Sequence, residues 1–260
     1  MAFIRFFTFI GSFIACVALF NLVPWMSFLP VDASNNIVEK KLGGALWKFI
    51  KNTEIEIKDK DVYEKVDKLL THCCKANQID RSKIKLHIVS NEMVNAFALP
   101  DGYLVVYSGL ITSVEDEGEL SGVLCHEVAH IELNHVIKKI TTEMGLAIIL
   151  KLISQNNSSD IKHLLKNLQS NAFSRELEKE ADEKAVEYLI KSKINPERLI
   201  DFFEREFNKD EITVKLSWLS THPSSSERIE LIRKKIQNLP NDFAPVLSKV
   251  EWEELKNALK

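Results

Sequence analysis

Two histidines four residues apart, His126 and His130, enclose Glu127 in the pentapeptide HEVAH. On a helix, residues four apart differ by about 40°, so both imidazoles present a nitrogen to one point. Two neutral imidazoles suit Zn2+, and the glutamate between them reaches a water held there. The chemistry this predicts is hydrolysis, with the metal acidifying a water and Glu127 taking its proton. The setting argues against two histidines decorating a surface helix, because Val123, Leu124, Val128 and Ala129 surround them. His135 lies about 140° round the same wheel from His130, so it reads as a surface or capping histidine outside the site.

A catalytic zinc takes three protein ligands and keeps one position open. A third histidine six residues after His130 would need glycine at 133 and histidine at 136, where the chain has Leu133 and Val136. A glutamate from a later helix is the remaining common solution, and SRELEKEADEKAVEYL at 174–189 offers several. With Glu176 at 0°, Leu177, Ala181, Ala185, Tyr188 and Leu189 fall between about 100° and 220°. Glu176, Glu180, Glu183 and Glu187 gather near 0° and read as a solvated acidic face. Glu178 falls near 200°, inside the apolar stripe, where an unpaired carboxylate is too costly to bury. Glu178 is therefore the expected ligand. Asp182, one turn on at the edge of the stripe, is placed to accept the free N–H of a ligating histidine and fix its tautomer.

The elements that must position these residues are readable in outline. Residues 34–59 read as a linker with a short amphipathic helix around Leu42 to Ile50, and the main domain as 60–260. Val62, Val66, Leu69, Leu70 and Cys73 keep a helical period, and Ile84, Leu86 and Ile88 alternate as in a strand. Pro100-Asp101-Gly102 is turn chemistry between two β-prone runs, which predicts a hairpin. A helix is expected from a Ser113 cap to about Val136. Others are expected over Met144–Ile153, about 170–192, from Asn195-Pro196 to Phe207, near 225–237 and over 249–259, with a loop at 155–160. The whole predicts an α+β, mostly helical domain with a small sheet beside the HEVAH helix. Outside the leader the thiols are Cys73, Cys74 and Cys125, too few for a disulfide framework, and they read as small core residues. His72, His87 and His163 read as structural or surface residues.

At 260 residues, 45% of them hydrophobic, the chain can bury one good-sized core. A formal charge of −3 and a pI near 6.2 supply no basic field for nucleic acid, which is not expected as a partner. Residues 6–23 are uncharged and apolar, with Arg5 before them and Trp25 after. Residues 1–33 read as a retained membrane anchor, as a signal peptide cleaved after Val31-Asp32-Ala33, or as a leader lipidated at Cys16. Each places the domain in the cell envelope, periplasmic or on a membrane and outside the cytoplasm.

HEVAH followed at this distance by SRELEKEAD resembles the membrane-associated gluzincin peptidases that include HtpX, the CAAX prenyl proteases and the Oma-type proteases. NAFALPDGYLVVYSGL at 95–110 is similar to that family's substrate-side hairpin, and WLSTHPSSSERI at 218–229 to its C-terminal His-Pro…Arg element. The likeness runs from about residue 60 to 235. It implies a zincin-like metalloendopeptidase with one zinc on His126, His130 and Glu178, and an extended polypeptide substrate paired along Asn95, Ala96, Phe97 and Ala98. It also carries His222 and Arg228 over as additional active-site positions. His222 then either donates to the oxyanion, the reading favoured on sequence, or serves as a reversible fourth zinc ligand; a plain loop histidine is the alternative. Arg228 has the alternative of partnering a buried carboxylate such as Asp182, and Arg175 is equally open. No paired membrane helices lie between HEVAH and Glu178, so the small singly anchored or secreted bacterial members are the nearer likeness, and envelope protein quality control the implied role. The rival readings are a zinc-stabilised, membrane-anchored chaperone or binding module without turnover, and a metal-dependent hydrolase of another bond such as an amidase.

Overall fold

The computed structural model describes residues 31–155, 157–208, 218–223, 226–237, 239 and 242–260. All three leader readings concern residues that lie mostly outside these. The chain divides into two compact units, 1–38 and 39–260, and the second holds the site.

In chain order the elements are α1 (Val31–Thr53), β1 (Ile55–Glu56), α2 (Lys60–Ala76), β2 (Lys85–Ser90), β3 (Ala96–Leu99), β4 (Tyr103–Tyr107), α3 (Ser108–Ser113), α4 (Glu117–Glu132), α5 (His135–Met144), α6 (Leu146–Gln155), α7 (Ser158–Ser170), α8 (Arg175–Lys191), α9 (Glu197–Phe207), α10 (Ser226–Ile236) and α11 (Lys249–Asn257). The α+β, mostly helical plan is as expected. The helix foreseen around Leu42 to Ile50 is longer, running through residues read as a linker. Its Leu42, Leu46 and Ile50 are buried one turn apart. Gly43 is required there, since a Cβ would stand 2.1 Å from the Pro100 carbonyl oxygen. Among the described residues no helix is long and apolar enough to cross a membrane.

The sheet runs β1-β2-β4-β3, with β2 and β4 parallel and the other two pairs antiparallel. The expected hairpin is β3–β4, turned through Asp101 and Gly102 at φ 65° and 70°. Tyr107 N–H donates to the Asn95 carbonyl, so odd residues of β3 bond inward to β4. Ala96 and Ala98 therefore turn their backbone groups to the free edge.

Helix α4 is the centre of the domain: every residue from Glu117 to His130 is buried. It packs along α8, with α2, α9 and β3 also against it. Two of its bounds differ from expectation. Ser113 ends the short α3, its hydroxyl bonding the Leu110 carbonyl, and Asp116 caps α4 by accepting from Gly118 and Glu119. At the other end α4 stops at Glu132, because Asn134 adopts the left-handed conformation at φ 55°. Helix α7 occupies residues with no expected element. Its cap Asn157 and first turn fall in the stretch read as a loop, and its Ile161, Leu164, Leu165 and Leu168 are the buried stripe.

Candidate metal centre

His126 and His130 lie on the buried α4, and Glu178 lies on the face of α8 turned toward it. His222 comes from the short turn after Trp218. One ligand atom from each of the four lies within 4.8 Å of all the others. His126 Nε2 is 2.9 Å from His130 Nε2 and 3.3 Å from His222 Nδ1. Glu178 Oε1 is 2.9 Å from His222 Nδ1 and 3.4 Å from His130 Nε2. A regular tetrahedron of zinc bonds of roughly 2.0–2.1 Å has edges of roughly 3.3–3.4 Å, and these four separations lie at or somewhat below that length.

The donor chemistry points the same way. His126 Nδ1 stands 3.1 Å from Asp182 Oδ1, within ion-pair distance but short of hydrogen-bond alignment, and the carboxylate there favours a proton on Nδ1 with the Nε2 lone pair facing inward. Asp182 is gripped on its other side by the Arg228 guanidinium, at 2.6 Å and 2.8 Å, and the same guanidinium reaches Glu178 Oε2 at 2.8 Å. Arg228 is thus the partner of both buried carboxylates. Glu127, Glu178 and Asp182 against Arg228 leave a formal charge of −2 in a buried site, which a dication neutralises. Burial pushes the Glu178 carboxyl up, but His222, His130 and Arg228 outweigh it and hold it well below the usual range. Burial likewise drives His130 far below the ordinary histidine value. It lowers His126 too, yet the adjacent Asp182 and the charge of Glu178 win and raise it. The carboxylates that favour a proton there favour a metal cation for the same reason.

Glu127 is held by two donors. Trp218 Nε1–H donates to Oε1 at 2.8 Å, and the Ala98 backbone N–H on the free edge of β3 donates to Oε2 at 3.0 Å. His222 stacks on the Trp218 ring, centroids 4.4 Å apart at 17°, and puts Nε2 3.4 Å from Glu127 Oε1. Its ring therefore lies between the four-donor cluster and Glu127.

The sequence-predicted residues come together here: His126, Glu127, His130, Glu178, Asp182, His222, Arg228 and the Ala98 end of the hairpin. Phe97 packs edge-on against Tyr107, and the Asn95 backbone carbonyl accepts from Tyr107 N–H. Arg175 is exposed at the start of α8. His72 bonds the Ser192 carbonyl, His87 stacks on Trp47, and His163 is exposed. One reading is overturned. His135 is fully buried, with Nδ1 3.0 Å from His130 Nδ1. The wheel placed it away from the site by assuming one continuous helix, and the left-handed Asn134 turns it back. Asparagine is among the few residues that tolerate this conformation, so the signal was present at 134. Trp218 and Phe173, whose ring lies 4.3 Å from that of His130, were also missed; neither carries metal-binding chemistry that a motif search would weigh.

Residues 56–236 match the model of peptidase family M48. The chain belongs to that family. Its relatives include the mitochondrial metalloendopeptidase OMA1 of Schizosaccharomyces pombe, 30% identical over 65% of this chain and 51% of the relative. Metalloprotease LoiP of Escherichia coli is 29% identical over 62% of this chain and 66% of its own length. The β-barrel assembly-enhancing protease of Yersinia pestis is 26% identical over 63% and 36%. The chain thus spans between about a third and two thirds of these relatives. Family members use zinc, and the four converging donors are the candidate site for it here.

Proposed function

We propose that the chain is a zinc-dependent endopeptidase in which His126, His130 and Glu178 hold the metal and Glu127 is the general base. The observation that carries this reading is the position of Glu127, beside the donor cluster and bonded to the free edge of β3. A metal-stabilised binding module has no use for such a carboxylate. Zinc, when bound, supplies a Lewis acid for the scissile carbonyl and acidifies the attacking water. Glu127 takes the proton of that water and returns it to the leaving amine. The Trp218 indole orients the carboxylate. An extended substrate pairs with the outward backbone groups of Ala96 and the carbonyl of Ala98, which brings its peptide bond alongside Glu127. Asp182 and Arg228 keep His126 and Glu178 oriented. Chelator-treated protein should stop cleaving an unstructured peptide and recover with zinc; cleavage unaffected by complete metal removal would overturn the assignment.

His222 gives the site a closed form. Its Nδ1 takes the fourth donor position while its Nε2 faces Glu127, so the ring sits where water must enter. The reading extends to place and substrate: a polypeptide in a partly unfolded state, met in the cell envelope with the apolar segment 6–23 as the membrane attachment. Relatives named for mitochondria and for β-barrel assembly support a role in protein quality control.

The choice of third ligand has its own check. Glu178→Ala should strip zinc from the purified chain, whereas Glu176→Ala should leave it near one per chain, because Glu178 is buried and Glu176 is exposed on the opposite face of α8. Equal zinc content in the two variants would show that the ligand lies elsewhere.

A further inference from the structure

We propose that His135 and Glu180 form a relay that fixes His130 as its Nδ1–H tautomer and so aims the Nε2 lone pair at the metal position. This rests on His130 being a zinc ligand, as proposed above. His135 Nε2 is 3.1 Å from Glu180 Oε2. A carboxylate only accepts, so the proton between them is on His135 Nε2. With that nitrogen protonated, the other nitrogen of the neutral ring is bare. His135 Nδ1 is 3.0 Å from His130 Nδ1, so the proton shared there belongs to His130. His130 then keeps its Nε2 lone pair for the metal, although that atom also faces His126 Nε2 at 2.9 Å and the Glu178 carboxylate at 3.4 Å, so in the metal-free chain the relay must outcompete both for the proton.

The two ligands of HEVAH are thereby served in the same way by different means. Asp182 stands directly at His126 Nδ1, 3.1 Å away, whereas His130 reaches its carboxylate through a second imidazole. The break at Asn134 makes this possible, since a continuous α4 would carry His135 away. The inner half of the relay is sealed, with His135 fully buried and Phe173 covering the His130 ring. The outer half is accessible, because the Glu180 side chain is 58% exposed. That asymmetry makes the relay testable without disturbing the core. His135 and Glu180 are positioning residues, since they touch neither metal nor substrate.

Outer hydrogen-bond partners of metal-binding histidines commonly tune affinity by roughly 10–100-fold. In Glu180→Lys an ammonium replaces the acceptor. It obliges His135 Nε2 to accept, which puts the His135 proton on Nδ1 and drives the His130 proton to Nε2. The test uses the full chain, zinc alone as the probe in competition with a chelator, and long-range 1H–15N correlations of the histidine rings in the metal-free protein. Wild type should show His130 protonated at Nδ1. Glu180→Lys should bind zinc at least about tenfold more weakly and show the opposite tautomer. Glu176→Lys, the same charge change on the same helix, should stay within about threefold of wild type. His135→Asn offers an amide oxygen near the Nδ1 position and should retain most of the affinity that His135→Leu loses. The relay is wrong if metal-free wild type carries the His130 proton on Nε2. It is also wrong if Glu180→Lys and His135→Leu bind zinc as wild type does while His130→Ala loses it. Should His130→Ala keep full zinc affinity, the ligand assignment itself fails and the relay with it.

Discussion

Glu127→Gln should lower peptide hydrolysis by about 10³-fold, within the range lost with a general base, while zinc content stays near one per chain. The base serves the water and not the metal, so the two readouts must separate. The structure adds a second consequence. Both carboxylate oxygens accept N–H donors, one from Trp218 and one from the Ala98 backbone. A glutamine can satisfy only one of them, because its NH2 group must face the other donor. The variant should therefore also be less stable by about 1–3 kcal/mol, the cost of leaving a buried donor unmet. Zinc analysis, thermal unfolding and single-turnover cleavage on one preparation measure all three. Turnover retained in a preparation free of wild-type enzyme would remove Glu127 from its role, and an unchanged unfolding temperature would contradict the pinned carboxylate.

What the sequence disclosed about the site follows from where local rules hold. HEVAH is legible because its two ligands share one turn of one helix, so helical geometry alone brings them together. Glu178 is legible because α8 is regular throughout and its apolar stripe is clean enough for a carboxylate inside it to stand out. His135 was misread because the same wheel was carried past Glu132, where the backbone changes hand at Asn134. Trp218 is a different kind of omission. Its indole bonds Glu127 across 91 positions of sequence, and no local periodicity reports such a contact. Helix α7 had the periodic signal but was eclipsed by its own cap, since the polar run that starts it has the composition of a loop. In the fold β2, β3 and β4 were expected, whereas β1 lies in the stretch read as a linker; the order was not legible, because β2 pairs parallel with β4 across the intervening β3 and no local signal reports that choice.

His222→Ala is expected to raise the cleavage rate of an unstructured peptide, by about 10–100-fold if the closed form makes up nine-tenths or more of the population. The direction follows from the ring's two nitrogens. Nδ1 completes the donor cluster beside Glu178 and His126, and Nε2 faces Glu127, so water and imidazole compete for one place. Trp218 holds the ring there by stacking, and the same indole holds Glu127, so blocking group and base share one support. Removing the imidazole leaves that support intact and opens the fourth position. Zinc affinity should fall at the same time, because one of four donors is gone, and that joint change distinguishes release of a block from a general gain in flexibility. On sequence the favoured role for His222 was the opposite one, donation to the oxyanion, and that role predicts a loss of roughly 10²–10³ in turnover with zinc retained. Initial rates at saturating zinc separate the two: a fall would return His222 to the oxyanion and make the closed arrangement one stage of a ring that must swing aside and act, whereas a rise would make its departure the step that gates the reaction.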